Sequence, residues 1–208
     1  TVLGIMRSVS ELKLPINVIG IIPSVENMLG GEAYRPGDII KLYNGKTAEI
    51  LNTDAEGRLI LADALAYGEK QYSPKAIIDF ATLTGACIVA LGNNVAAIVS
   101  NNEQLTKKIT DSSKTTTEEI WELPLTQDYM DMIKSDVADI KNVGIGRAAG
   151  TITAAAFLKS AIKDTPWVHL DIAGVAWTQG AATKEKPYNP KGATGFGVRL
   201  ILDYLQKL

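Results

Sequence analysis

Two carboxylates and a guanidinium lie within five residues of one another in the stretch NTDAEGRLILADAL, residues 52–65. Asp54 and Glu56 are separated by a single residue, and side chains with that spacing point the same way in extended backbone. Both carboxylates could therefore converge on one cation, since carboxylate oxygens are hard ligands that suit divalent metal ions. The stretch predicts a metal site, with the positive charge of Arg58 beside it.

The same residues also allow a purely structural interpretation. Thr53 and Glu56 have the spacing of a capping box, in which side chains satisfy free amides at the start of a helix, and acids in a first turn favour the helix dipole. Spacing alone favours this capping interpretation. Two residues count against it, because Gly57 permits a non-helical turn and Arg58 would put a positive charge at the positive end of the helix.

These residues lie where a strand gives way to a helix. Residues 38–52 hold Asn44 and Gly45 between two alternating segments, which predicts a β-hairpin. Residues 58–72 repeat apolar side chains at helical period, and Pro74 ends the helix. In open α/β sheets ligands bind at the carboxyl ends of strands, and the two acids stand at such an end.

Strands and helices alternate along the rest of the chain. Short apolar runs rich in β-branched residues predict buried strands, and apolar residues at helical spacing predict helices. Strands are expected at 17–24, 75–85, 93–102 and 167–174, and helices at 2–12, 150–164 and 195–208, with a polar helix or loop pair at 103–120. This order predicts an α/β fold of three layers, with helices flanking a central, mixed but mainly parallel sheet.

Composition narrows the class of protein. The 208 residues suffice for one domain, and the 21 basic and 23 acidic residues are spread along the chain, so no nucleic-acid surface is indicated. The single cysteine, Cys87, excludes an intrachain disulfide and indicates a reducing compartment. No run of eighteen apolar residues is present, so no membrane span is expected. A soluble, cytoplasmic protein is expected.

Several residues that often carry chemistry are expected to be structural here. His169, the single histidine, lies between apolar neighbours in a predicted strand and is interpreted as a core residue. Cys87 is interpreted as buried and inert. The three tryptophans are expected to pack in the interior; they are Trp121, Trp167 and Trp177.

The stretch NTDAEGRL closely resembles the signature of the leucine aminopeptidase (cytosol aminopeptidase) family. Further segments are similar to that family's catalytic domain in order and spacing: GGEAYRPGD, IDFATLTGACIVALG, AGTITAAAFL, HLDIAGVAW and GATGFGVRLI. The resemblance covers essentially all 208 residues. GIGRAAG, residues 144–150, is a weak hint of a dinucleotide loop by comparison, because it lacks the following acid and a clean preceding strand, so a packing role is expected.

The resemblance implies a two-metal exopeptidase that releases N-terminal residues, leucine and other apolar ones, from peptides. It implies that Asp54 ligates metal through its carboxylate and backbone carbonyl, and that Glu56 bridges two divalent ions, Mn or Zn, whose shared water is the nucleophile. Arg58 would be catalytic and hold a bicarbonate, for which a planar, permanently charged fork is suited. The resemblance also implies a homo-hexamer, with the helix at 150–163 and the C-terminal helix as contact surfaces.

Substrate-binding residues follow from the same resemblance. Thr82, Leu83 and Gly85 match the loop that lines the first side-chain pocket, and Ala173 and Ala176 match its other wall. Small residues there would leave room for an apolar side chain such as leucine. Without the resemblance, ATLTGA would be interpreted as tight packing between a strand and a helix.

The chain also departs from the family's complete pattern. Complete members carry V-G-K-G-x-x-x-D-x-G-G and M-K-x-D-M upstream of the position that matches Thr1, which provide a metal-binding lysine, two metal-binding aspartates and a second catalytic lysine. Neither motif occurs in these 208 residues, nor does the family's separate N-terminal domain. Residues 1–208 are therefore expected to be a partial catalytic domain, inactive when isolated. The alternative is a catalytically incomplete scaffold or assembly module.

Overall fold

Helices and strands alternate along the chain, as its hydrophobic pattern predicts. The structure, a computed structural model, describes residues 1–144, 146, 148–180, 187–189 and 191–208. Within these ranges the helices are α1 (Val2–Leu12), α2 (Glu56–Tyr72), α3 (Gly85–Leu91), α4 (Glu103–Thr116), α5 (Gln127–Asp131), α6 (Gly150–Lys159) and α7 (Val198–Gln206). The strands are β1 (Ile39–Lys41), β2 (Thr47–Glu49), β3 (Ile77–Ala81), β4 (Ala96–Ser100), β5 (Ile120–Glu122), β6 (Ile140–Lys141), β7 (Trp167–Asp171), β8 (Trp177–Thr178) and β9 (Gly192–Ala193).

The central sheet has four strands in the order β3-β7-β4-β5. The pairs β3–β7 and β4–β5 are parallel, whereas β4 and β7 are antiparallel. The sheet is therefore mixed with more parallel than antiparallel pairs, and the predicted α/β class is confirmed.

Side chains of β7 alternate between two hydrophobic cores, because successive residues of a strand point to opposite faces. Trp167 packs in one core with residues of α2 and α6, and Val168 and Leu170 pack in the other with residues of α1, α4 and α7. Helices thus cover both faces of the sheet, which gives the three layers.

A second, smaller sheet carries the predicted hairpin. Strands β1 and β2 are antiparallel, with Ile40 opposite Ala48, and β2 also pairs in parallel with β6. The turn contains Gly45 at φ +91°, a left-handed conformation that favours glycine. The Asn44-Gly45 signal therefore placed the hairpin correctly.

One local expectation is wrong. Residues 17–24 form no strand, because no strand pairs with them, and Ile19 and Ile22 are about half exposed. Helix α6 exposes little of its surface, since its residues from Ala154 to Leu158 are fully buried in the core, and its role in assembly stays a prediction. Both segments are apolar in sequence, but which other elements pack against them depends on residues far away in the chain.

The tryptophans divide between the interior and the surface. Trp167 is fully buried, as expected, whereas Trp121 and Trp177 are 65% and 60% exposed. Trp121 lies in β5 at the edge of the central sheet and Trp177 in β8 of a two-stranded sheet, where only part of a side chain can be covered. The packing prediction is wrong for both.

Cys87 is buried, as the sequence predicts, and burial raises the pKa of its thiol to about 11. A thiol with so high a pKa is protonated near neutral pH and is a poor nucleophile.

No helix in the described part of the chain combines the length and apolarity that a bilayer crossing requires.

His169 is a core residue with one satisfied nitrogen, as the sequence predicts. Its Nδ1 lies 2.6 Å from Asp79 Oδ1, and Trp167 Nε1 donates to Asp79 Oδ2 at 2.7 Å. Asp79 and His169 are register partners on the parallel strands β3 and β7. Burial by itself lowers the pKa of His169, but the Asp79 carboxylate outweighs it, and the pKa is raised.

We expect the replacement Asp79→Asn to destabilise the chain most at low pH. A raised folded-state pKa of His169 stabilises the fold fully below the unfolded value of 6.5, and this contribution is lost as pH rises through the folded-state pKa. Asparagine leaves an acceptor for His169 but removes the charge and one acceptor for Trp167, so the deficit at about pH 6 should be roughly 1–3 kcal/mol. Urea denaturation between about pH 6 and pH 10 measures it. A deficit that is constant or grows with pH would contradict the expectation.

Candidate functional site

The two acids lie in the short connection between β2 and α2. The backbone amide of Asp54 donates to Asn52 Oδ1 at 3.0 Å, which folds the connection back on itself. Helix α2 begins at Glu56, and its N-cap residue, Ala55, makes no side-chain capping hydrogen bond. The capping-box interpretation of Thr53 and Glu56 is therefore wrong, and the two carboxylates are not consumed in capping.

A buried asparagine from a distant part of the chain fixes this connection. Asn142, which is fully buried, accepts from the amides of Leu51 at 2.8 Å and Asn52 at 3.3 Å, and its Nδ2 donates to Asn52 O at 2.7 Å. Its own amide donates to Glu49 O, extending the pairing of β6 with β2. No local pattern predicts this role, because every hydrogen-bond partner of the Asn142 side chain is about 90 residues away.

We expect Asn142→Ala to lower the free energy of unfolding by about 2–3 kcal/mol, because buried amides and a carbonyl of the connection lose their partners. Amide hydrogen exchange at Leu51 and Asn52 should accelerate in the same variant. The exposed Asn93 offers a matched control, and Asn93→Ala should stay within about 0.5 kcal/mol of the unsubstituted chain. Equal stability of the two variants would show that Asn142 does not hold the connection.

Arg58 is a buried cation between two acids. Its Nη1 donates to Asn142 O at 2.8 Å, and its buried Nε has no hydrogen-bond partner among the described residues. Burial lowers the pKa of Arg58 to about 10, and the negative charges of Asp171 and Glu56 partly offset that effect. The guanidinium therefore remains charged near neutral pH.

The loop at residues 26–38 covers the acids from the other side. Asn27 Nδ2 donates to Thr53 O at 3.3 Å and to Glu56 Oε2 at 3.1 Å, and the Tyr34 hydroxyl donates to Thr53 O at 2.9 Å. Burial raises the pKa of Tyr34, and the nearby charges of Glu56 and Asp54 raise it further. The Tyr34 hydroxyl is therefore within electrostatic range of both carboxylates. Asn27 and Tyr34 are not predicted as site residues from the sequence, because their only signal is their place in a Gly- and Pro-rich loop.

At the carboxyl ends of β3 and β7, one carboxylate joins two loops. Asp171 Oδ1 accepts from the amides of Leu83 at 3.1 Å and Ala173 at 3.2 Å, and its Oδ2 accepts from Thr84 Oγ1 at 2.6 Å. Asp171 is fully buried. Because β3 and β7 are parallel neighbours, both loops leave the same edge of the sheet.

The predicted pocket residues all lie on these two loops or at their ends. Thr82 and Gly85 are exposed, and Leu83, Ala173 and Ala176 are half-buried. The Leu83 side chain reaches the start of α2, since its Cδ1 lies 3.4 Å from where a Cβ would stand on the glycine that follows Glu56. The structure thus brings Leu83 beside the acidic connection, and it leaves the substrate roles of all five residues as predictions.

Glycine is required where the second loop meets the first. A Cβ on Gly174 would stand 2.1 Å from the carbonyl oxygen of Gly92, just beyond α3. Gly92 itself has φ +69°. The loop that carries Ala173 is therefore fixed against the end of the helix that follows the loop carrying Leu83.

Comparison with known proteins decides the family. Residues 1–202 match the family model described as the cytosol aminopeptidase family, catalytic domain. The chain belongs to this family. It is 74% identical over 206 residues to the probable cytosol aminopeptidase of Cenarchaeum symbiosum (strain A), covering 99% of this chain and 42% of the relative.

Bacterial relatives give the same result. The chain is 53% identical over 205 residues to the probable cytosol aminopeptidase of Geobacter sulfurreducens and 52% identical over 205 residues to that of Roseiflexus castenholzii, with 99% of this chain covered in each. It spans 40% and 41% of those two proteins. The resemblance of NTDAEGRL to the cytosol aminopeptidase signature is confirmed, and the chain corresponds to about two fifths of its relatives' length.

The donor set of this cytosol aminopeptidase segment suits a hard cation in type but not in number. Asp54 is exposed and Glu56 half-buried, so their carboxylate oxygens are available to a ligand. Among the residues that the structure describes, no group of three or more His, Cys, Asp or Glu is placed to hold a metal ion. The two acids supply part of a coordination shell, and their metal roles stay predictions.

The packing role expected for GIGRAAG falls partly on residues 145 and 147, which lie outside the described residues.

Proposed function

We propose that these residues form part of the catalytic domain of a longer aminopeptidase, called the parent below, which releases N-terminal leucine and other apolar residues from peptides. The observation that carries the proposal is the match of residues 1–202 to the catalytic domain of the family, in a chain that places Glu56 and the buried Arg58 together in the first turn of α2. The names of the relatives describe them as probable aminopeptidases. A cytoplasmic location is part of the proposal, supported by the single, buried cysteine.

The acids and the arginine would divide the chemistry. Asp54 and Glu56 would hold part of a pair of Mn or Zn ions, which supply a water activated at neutral pH. Arg58 is a cation whose Nη1 donates to Asn142 O and whose Nε has no partner among the residues that the structure describes, and a guanidinium suits a small anion such as bicarbonate. Such an anion would accept and return a proton during attack on the peptide carbonyl.

The two loops at the sheet edge would receive the N-terminal side chain of the peptide. Leu83 lies beside the start of α2, Ala173 and Ala176 lie on or at the end of the second loop, and none of the three is fully buried. An apolar pocket with a few convergent polar groups is the usual form of a small-ligand site. The acidic side chains nearby would attract the free amine that distinguishes an N-terminus.

A homo-hexamer remains part of the proposal, although α6 exposes little surface for its contacts. Large apolar side chains are exposed elsewhere, including Leu3 at 75%, Met28 at 74% and Val89 at 91%. Apolar exposure of this kind is frequent at surfaces that associate. Light scattering of the parent tests it, and a monomer at micromolar concentration would contradict it.

The function is tested with two chromogenic substrates. The parent should hydrolyse leucine p-nitroanilide in the presence of Mn or Zn and lose this activity on chelation. N-acetyl-leucine p-nitroanilide, which lacks the free amine, should be a poor substrate of the same preparation. Equal hydrolysis of both substrates, or activity unaffected by chelation, would contradict a metal-dependent aminopeptidase.

A further inference from the structure

Asp171 connects the two predicted pocket walls and touches neither solvent nor the pocket surface. Its carboxylate is fully buried and accepts from Leu83 and Thr84 on the first loop and from Ala173 on the second. The sequence separation between the loops is large, about 88 residues for the bond to Leu83. Asp171 is therefore the side chain that hydrogen-bonds both walls, in addition to the close approach of Gly174 to Gly92.

Thr84 makes this connection rigid. Its hydroxyl donates to Asp171 Oδ2 at 2.6 Å and accepts from the amide of Cys87 at 3.1 Å, which caps α3. A hydroxyl has one proton, so at the 2.9 Å contact with Thr151 Oγ1 it is Thr151 that donates. Every hydrogen-bonding capacity of Thr84 is used, and the first loop is tied to α3, α6 and β7 together.

The same carboxylate also faces the candidate catalytic group. Asp171 is the acid that contributes most to offsetting the desolvation of Arg58. Leu83, which Asp171 holds through its amide, lies against the start of α2. Asp171, at the end of β7, thus hydrogen-bonds both pocket loops and is also within electrostatic range of the Arg58 guanidinium.

We propose that Asp171 is a positioning residue that fixes the separation of the loops carrying Leu83 and Ala173, and so sets the size of the N-terminal side chain that the enzyme prefers. The proposal rests on the proposed function, because the loops must line the first side-chain pocket. A pocket of fixed width distinguishes leucine from smaller residues through the contacts that the extra methylene groups make. Loosening the walls removes that distinction without removing a group that touches substrate.

A matched buried carboxylate separates positioning from general support of the fold. Asp79 lies on the neighbouring strand and also accepts from two side chains, His169 and Trp167, but neither belongs to a pocket loop. Asp79→Asn and Asp171→Asn make the same chemical change in adjacent strands. Loss of stability is expected from both, and loss of substrate discrimination from Asp171→Asn alone.

The test is the ratio of kcat/KM for leucine p-nitroanilide to that for alanine p-nitroanilide, measured on the parent. Asp171→Asn should lower the ratio about tenfold, which is the low end of the discrimination that one methylene group supplies in an apolar pocket. Thr84→Val, which removes the hydroxyl but no charge, should lower it in the same direction. Thr84→Ser keeps the hydroxyl, so its ratio should stay within about twofold of the unsubstituted value. The control variant Asp79→Asn should also stay within about twofold.

Each outcome bears on the inference. If Asp171→Asn does not fold, the pair Thr84→Val and Thr84→Ser decides, since it tests the same hydrogen bond without burying a new amide. An active parent whose ratio is unchanged in Thr84→Val and Asp171→Asn would overturn the inference and leave the proposed function standing. An unsubstituted parent that hydrolyses neither substrate would overturn the proposed function, and this inference with it.

Discussion

Replacing Glu56 with glutamine in the parent should lower kcat for leucine p-nitroanilide by about 10³-fold, comparable to the loss of a group that stabilises the transition state directly. Glutamine keeps the length of the side chain and an oxygen that can accept from Asn27, so the loop that covers the site should stay in place. It removes the negative charge that faces Arg58 and that a bridging ligand needs. The loss should therefore appear in kcat and in bound metal, with little change in stability.

A glutamate far from the site serves as the control. Glu11 on α1 is exposed and pairs with Arg7, and such surface pairs contribute little to stability. Glu11→Gln should leave kcat and metal content unchanged. If Glu56→Gln kept more than about a tenth of the turnover, Glu56 would not be a bridging ligand of the reaction.

The isolated 208-residue chain should be almost inactive on leucine p-nitroanilide even with excess Mn or Zn, whereas the parent should cleave it. Two carboxylates, one of them exposed, are few ligands to hold two ions in fixed geometry, and metal sites depend on their supporting shell. The lysine that complete family members carry upstream would also be missing, an effect worth roughly 3–4 kcal/mol by analogy with one oxyanion donor. Metal analysis of both lengths, beside the activity assay, separates lost binding from lost catalysis.

A folded control makes this comparison interpretable. Circular dichroism and cooperative urea unfolding of the isolated chain should be recorded first, because an unfolded fragment would be inactive for a trivial reason. A folded, inactive chain alongside an active parent supports the partial-domain interpretation. An inactive parent supports the scaffold alternative. Robust hydrolysis by the purified fragment would mean that these residues assemble a complete site of their own.

Elements whose signal is local were predictable from the sequence. The hairpin around Gly45, helix α2 with its apolar face, and strands β3, β4 and β7 each carry a pattern within about 15 residues, and the structure has them all. The segment 17–24 carries the same apolar signal as a strand, but a strand also needs a partner for its backbone groups. Whether residues 17–24 form a strand therefore depends on the tertiary fold, which provides no neighbouring strand for them to pair with.

The acidic part of the site was predictable, and its supports were not. Asp54, Glu56 and Arg58 are adjacent in sequence, so their types and spacing could be read together. Asn142 and Asp171 each act through one side chain on backbone groups more than 80 residues away, which no local pattern encodes. The only available signal for Asp171 was an acid that ends a strand of buried residues, WVHLD.

The central position of β7 has a consequence for synthesis of the chain. Strands β3 and β4 are complete by residue 100, yet each pairs with β7, which ends at Asp171. A growing polypeptide therefore exposes the unpaired edges of β3 and β4 while some 70 further residues are made. The apolar faces of these two strands also lack the side chains of β7 during that time. Non-local strand pairing of this kind forms slowly and leaves intermediates prone to aggregate. The emergence of β7, rather than that of β3 or β4, would therefore mark the moment at which the sheet can close, and the order of synthesis leaves the edges of β3 and β4 exposed until then.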